Sequence, residues 1–332
     1  MSVQVLNGGL LTTVQDAGRF GAQKYGVIVS GAMDRVSMRV ANLLVGNDEG
    51  EGVLEVTMFG TKLLFERDQL VAITGGELQP TIDGIKAPMW RPVLIKRGSV
   101  LQFKSAVSGC RTYLAFAGGI DVPVLMGSKS TYLRAGIGGL SGRALQKGDH
   151  FTCGELVSDI SRSFIQQLEQ KNQPVTWSVE YTQLDLFDNN EAIRIMHGSE
   201  FLRFRPESRH AFFSTPYKIT THSDRMGYRL EGEPLQLSEK FDLLSEGVTY
   251  GTIQVPSSGQ PIILMADRQT TGGYPKIGQV ISADLPRLAQ IQPNTEILFA
   301  EVTLEQAEVA LFETEKIIAD IALGIRLKAR HL

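Results

Sequence analysis

The chain has 332 residues, room for two domains, and 33 Lys plus Arg against 36 Asp plus Glu leave a net charge of −3. A surface that tracks phosphates carries excess basic charge, so this balance argues against a nucleic-acid partner. Cys110 and Cys153 are too few for a disulfide scaffold. Residues 1–16 show no basic-then-apolar leader, and no apolar run approaches the roughly 20 residues of a membrane span; a cytoplasmic protein, away from membranes, is expected.

In chain order, Ser30 is placed to cap a helix running to Val45. Met33, Val36, Val40 and Leu43/Leu44 share one face, and Gly46 stands where the chain would leave it. Short β-branched and aromatic runs bounded by Gly, Pro or charge predict strands over 52–58, 70–74, 93–95, 100–103 and 112–117. A helix is expected from about 157 to 171, followed by a polar linker ending near Asn190. Strands follow over 193–196, 252–255, 262–266 and 296–300. Thr303 with Gln306 then forms a capping box for a helix from Leu304 to about Leu323. The fold class is mainly β with a few helices (α+β), a barrel or sandwich rather than a doubly wound sheet.

The halves echo one another. Asn7-Gly8-Gly9 matches His197-Gly198-Ser199, and Met33-Asp34-Arg35 matches Ser223-Asp224-Arg225. Residues 54–60 match 245–251, Ile73-Thr74-Gly75-Gly76 matches Thr270-Thr271-Gly272-Gly273, and 97–103 match 293–299, all in one order at offsets of 190 to 197. An ordered series with one jump is what a duplicated domain with a loop insertion produces. The expected division is a first domain over 1–157 with a Gly-rich insertion at 118–149, a helical and polar linker over 158–190, a second domain over 191–302 and a terminal helix over 303–332.

Several enzyme classes drop out. Gly127-Ser128-Lys129-Ser130 lacks the upstream glycine and the Gly-Lys pair of a phosphate-binding loop, and 136–141 lacks the third glycine of a dinucleotide fingerprint. There is no Gly-x-Ser-x-Gly elbow, and the five histidines are isolated, so no metal site is assigned. What remains is three polar, glycine-flanked stretches. Two are TTVQDAGR at 12–19, followed by SGAMD at 30–34, and GSKSTYLRAGIGG at 127–139. The third pairs DRMGYRL at 224–230 with Asp267-Arg268-Gln269 and TTGGYP at 270–275. Glycines let backbone approach a ligand, Arg offers a fork for carboxylate or phosphate, and Thr and Gln read amide edges. The competing account of such stretches is turn chemistry and ion pairs that hold barrel loops.

These segments carry a resemblance, from Val5 to about Ala300, to the biotin-dependent carboxyltransferase-like family, also called allophanate hydrolase subunit 2. The resemblance implies two tandem cyclophilin-like β-barrels related by internal duplication. At this length the chain is similar to the family's 5-oxoprolinase branch. That branch implies a hydrolase in which a lactam, 5-oxoproline, is opened to L-glutamate with ATP hydrolysis. It acts only as a hetero-oligomer with subunits A and B, the second of which resembles a sporulation-kinase inhibitor. ATP is then the co-substrate, its site on this chain or on a partner, and the absence of a Met-Lys-Met acceptor means no covalent biotin on this chain. Asp224, Arg225, Thr270 and Thr271 are the implied catalytic residues. Arg229, Arg268, Gln269, Gly272, Gly273, Tyr274, Ser130, Tyr132 and Arg134 are the implied substrate contacts. Two rival roles stay open: a carboxyltransferase component of a urea or amide carboxylase served by separate biotin proteins, and a non-catalytic antagonist of the kinase inhibitor.

Overall fold

The computed structural model describes residues 2–156, 158–171, 175–188, 191–239 and 243–330. The expected helix start at 157 and linker end at 190 lie outside the described residues. The chain forms two compact units, Met1–Phe20 with Ser30–Phe187 and Glu315–Leu332, and Gly21–Val29 with Asp188–Thr314. Strands dominate the regular structure, twenty-two of them against five α-helices among the described residues. No described helix is long and apolar enough to cross a membrane.

The first unit holds two sheets. One runs Ile120–Asp121, His150–Cys153, Ser2–Gly8, Thr61–Phe65, Val100–Gln102, Thr81–Ile82, Ile85–Lys86 in spatial order. The other runs Leu11–Gln15, Val53–Thr57, Ser108–Phe116, Gln69–Glu77, Pro92–Ile95. Successive strand residues face opposite ways, and here both faces of the second sheet are used. Val71, Ile73, Leu114 and Phe116 join Val5, Phe65, Leu101 and Phe151 of the first sheet in one core. Leu70, Ala72, Tyr113 and Ala115 point the other way, into a cluster with the helix Arg35–Leu44. Phe164, Trp177, Val179, Leu186 and Ile318 complete that cluster, so the stretch after residue 175 is tied to the unit by apolar packing.

Asp34, not Ser30, caps the helix: its carboxylate accepts from Ser37 N at 2.8 Å, and the helix runs Arg35–Leu44. Ser30 sits four residues earlier at φ 57° and sends its hydroxyl to Thr131 O at 2.9 Å, so a tertiary bond wins over the local cap. Cys110 and Cys153 are free and buried. Burial raises both thiols, Cys153 to about 12.

The second unit is built on an eight-stranded sheet in the order Glu296–Ile297, Tyr217–Ile219, Gly227–Glu231, Ile262–Leu264, Thr252–Gln254, Lys276–Val280, Ile193–His197, Phe299–Glu301. Its two edge strands are neighbours in the chain, separated by Leu298 alone. The sheet therefore curls until its edges meet, a nearly closed barrel that exposes little unpaired edge. Phe212, Tyr217, Ile253, Ile263, Ile277 and Phe299 are buried, with Phe212 stacked on Phe299 at 4.7 Å. The helix Leu304–Arg330 begins with the expected reciprocal cap, Thr303 N to Gln306 Oε1 at 2.8 Å and Gln306 N to Thr303 Oγ1 at 3.2 Å. It runs seven residues past the expected end at Leu323.

Asp34 and Asp224, paired by the echo, stand in different local structures. The first caps a helix, whereas the second closes a turn into the strand Gly227–Glu231.

Candidate functional site

The strand Gly227–Glu231 lies antiparallel to Ile262–Leu264, with Arg229 opposite Ile262. Its alternation buries Tyr228 and Leu230 and leaves Arg229 exposed. Asp224 sets up the entry turn. Its Oδ1 accepts from Met226 N at 2.8 Å and Gly227 N at 3.1 Å, and its own N–H donates to Gly227 O at 3.2 Å. That leaves a short, stiff turn at the strand mouth.

Arg225 does not face solvent. It is 4% exposed, donating through Nε to Asp267 Oδ2 and through Nη2 to Asp267 Oδ1, both at 2.9 Å. Asp267 N also donates to Arg225 O at 2.7 Å, and Met265 N to Met226 O at 3.0 Å. The two loops are thus riveted together, and the fork expected to grip a substrate carboxylate already grips a carboxylate of the protein.

Beside this rivet lies a groove of about 500 Å³. Asp224, Arg229, Gln254, Ser258, Gln260, Gln269 and Tyr274 supply polar side chains, and Met226, Leu230, Pro256, Pro261, Ile262 and Leu264 an apolar wall. Among the described residues lining it, Arg229 is the one cation, and it forms no salt bridge with a described carboxylate. A convergent set of amides, one carboxylate and one uncommitted guanidinium on an apolar wall suits a small polar anion.

The remaining expected residues of this unit flank the groove. Thr271–Gly272 pairs with Glu246–Gly247 as a two-residue ribbon, and Thr270 O accepts from Val248 N at 3.1 Å. Thr271 and Gly273 are exposed on this ribbon. Arg268 turns away, its Nη1 donating to Met265 O at 3.4 Å and its guanidinium 6.0 Å from the Tyr250 ring centroid.

Ser130, Tyr132 and Arg134 belong to the first unit. Ser130 is fully buried and committed to Asp16, whose carboxylate also receives Ser128 Oγ at 2.8 Å, Gly18 N at 2.8 Å and Lys129 N at 2.5 Å. Arg19, fully buried, donates through Nη2 to Ser130 O at 2.8 Å and through Nε to Leu125 O at 3.0 Å. Gly138 has to be glycine here: at φ 74°, a Cβ would lie 2.0 Å from Ser130 O. Tyr132 is half-buried with its backbone bridged to Ile137, and Arg134 is exposed. Lys129 Nζ bonds Glu51 Oε1 at 2.5 Å and Ile120 O at 3.0 Å. The stretch that resembled a phosphate loop is therefore built around a carboxylate, which would repel phosphate.

Gln254 was not among the expected residues. It sits inside the run Ile253-Gln254-Val255, which the sequence marks only as part of a strand. A polar side chain at a buried strand position is the signal that would have singled it out.

The carboxyltransferase domain family, subdomains A and B, matches residues 25–301. Over 326 residues the chain is 39% identical to a protein of Escherichia coli (strain K12) that is named as the C subunit of 5-oxoprolinase, covering 96% of this chain and 97% of that one. A Haemophilus influenzae protein of the same name is 37% identical over 306 residues, covering 92% and 93%. Among solved structures, the Kluyveromyces lactis urea amidolyase is similar with a TM-score of 0.86 at 28% identity; the match covers 96% of this chain and 20% of that one.

Proposed function

This chain belongs to the carboxyltransferase-domain family of subdomains A and B, and from that premise we propose that it serves as the C subunit of an ATP-dependent 5-oxoprolinase. The observation that carries this reading is the end-to-end likeness to free-standing proteins of that name, with nearly all of both chains matched. The groove fits the substrate. 5-Oxoproline is a small ring with one carboxylate and one lactam, and the groove offers one uncommitted guanidinium, Arg229, beside amide side chains.

In this reading Arg229 anchors the substrate carboxylate, and the apolar wall of Ile262 and Leu264 receives the ring methylenes. Asp224 and Tyr274 border the lactam, and Gln269 closes the lip. Thr270 and Thr271, beside Gly272 and Gly273 at the ribbon flanking the groove, would donate to an oxygen that gains charge as the lactam opens. Arg225 holds the loop that carries these groups, and Arg268 braces the same loop. Ser130, Tyr132 and Arg134 keep the inserted segment of the first unit in shape.

ATP would supply phosphoryl activation of the lactam oxygen. With Asp16 at the centre of the 127–130 stretch and one cation among the described residues lining the groove, this reading puts the nucleotide on partner subunits A and B. The likeness to a urea amidolyase favours a second reading, a carboxyltransferase working with separate biotin proteins. Purification of the tagged chain from its own cells separates the two. Co-elution of subunits A and B supports the first reading; co-elution of a biotinylated carrier, with urea-dependent activity, supports the second.

A further inference from the structure

We infer that Gln254 is the residue with which this groove reads the amide edge of its substrate, an inference that rests on the 5-oxoprolinase reading. Gln254 is 2% exposed yet lines the groove. Its side chain makes one hydrogen bond to described residues, Nε2 to Tyr274 O at 3.3 Å. One amide N–H and the carbonyl oxygen are therefore left without a partner among the described residues. Gln254 Oε1 is not among the buried side-chain atoms that lack a partner, so it reaches the solvent of the groove, where a ligand can meet it.

The backbone is arranged to aim this side chain. The strand Thr252–Gln254 pairs with Lys276–Val280, Ile253 opposite Gly278 but Gln254 opposite Lys276. The extra residue, Ile277, makes a β-bulge directly across from Gln254, and such bulges re-aim side chains beside binding sites. Gly272 supplies the room. A Cβ there would lie 2.4 Å from Gln254 Nε2, so the amide keeps this position only under a glycine and would have to shift under any larger residue.

The other groove glutamines do not compete. Gln260 is engaged at both ends with Gly232, Oε1 accepting from its N–H at 3.0 Å and Nε2 donating to its carbonyl at 3.1 Å. Gln269 is exposed at the lip. A lactam locks its N–H and C=O on the same side, a donor beside an acceptor, and a carboxamide offers the complementary pair. Gln254 thus selects a cyclic amide over a ring that lacks the N–H.

The test compares 5-oxoproline with its lactone acid analogue, in which a ring oxygen replaces N–H, using the complete complex. The wild-type complex is expected to bind the lactone, as an inhibitor, roughly tenfold or more weakly than it binds the lactam by KM, the scale of one buried hydrogen bond. Gln254→Leu should raise the lactam KM and bring the ratio to within about threefold. Gly272→Ala, which keeps Gln254 but displaces its amide, should shift the ratio the same way and covers the case in which Gln254→Leu does not fold. An unchanged ratio in a folded variant, or no discrimination by the wild-type complex, overturns the inference while leaving the functional reading intact. A wild-type complex that does not turn over 5-oxoproline overturns both.

Discussion

Arg225 and Asp267 meet through two parallel N–H···O contacts of 2.9 Å, with both side chains almost fully withdrawn from water. Removing either partner strands a buried charge, at about 3–5 kcal/mol. Arg225→Ala and Asp267→Ala are therefore expected to lower the melting temperature by roughly ten degrees, given about 2–4 °C per kcal/mol for a unit of this size. Arg225→Lys, which keeps the charge but not the fork, should fall between. Calorimetry of the variants decides: unchanged melting with a raised KM would return Arg225 to ligand binding.

Arg229 should behave in the opposite way. It is exposed and has no described carboxylate partner, so Arg229→Ala is expected to melt within a degree or two of wild type. The KM for 5-oxoproline should rise roughly 10- to 100-fold, the scale of a hydrogen bond to a charged group. Steady-state kinetics of the reconstituted complex would contradict this by showing a normal KM.

In the first unit, four donors converge on the Asp16 carboxylate, from Gly18, Ser128, Lys129 and Ser130. Asp16→Asn turns part of that acceptor into a donor facing donors, which should cost about 3 kcal/mol or more, against about 1–3 kcal/mol for Ser130→Ala. Urea denaturation gives the first number. Limited proteolysis should show cleavage within 118–149 in the Asn variant, and a segment as resistant as wild type would refute the network's role.

Acid should expose a smaller contribution. Asp149 accepts from Arg143 Nη1 and Nη2 at 2.7 and 2.8 Å, and this bonding, helped by Gln146 N, holds its carboxyl below the ordinary 3.8. A depressed carboxyl stabilises the fold above its unfolded value, and that stabilisation disappears as pH falls through the folded value. Wild type should thus be more stable than Asp149→Asn at pH 7, and the gap should close below about pH 3.8. A gap independent of pH would mean that charge plays no part.

The strands were legible because β-branched runs with turn residues at their ends are local signals; 252–255 and 262–266 fall on observed strands. Ser2–Gly8 and Gly227–Glu231 are hard to read as strands because polar residues and glycine interrupt their apolar pattern. At the candidate site, contacts distant in sequence decide which side chains are already committed within the protein. Arg225 reads as a free fork until Asp267, 42 residues on, is seen to fill it. Ser130 reads as a ligand hydroxyl until Asp16, 114 residues away, is seen to claim it. Gln254 reads as filler in an apolar strand until the bulge and Gly272 show how it is aimed. Each depends on contacts distant in sequence, which no local pattern encodes.

The most direct test of the central claim is 5-oxoproline-dependent phosphate and glutamate release by this chain mixed with purified subunits A and B, each omitted in turn. Phosphate and glutamate are expected to be released in step from the complete mixture, with none from this chain alone. Turnover by this chain by itself, or a complete mixture inert toward 5-oxoproline, would contradict it.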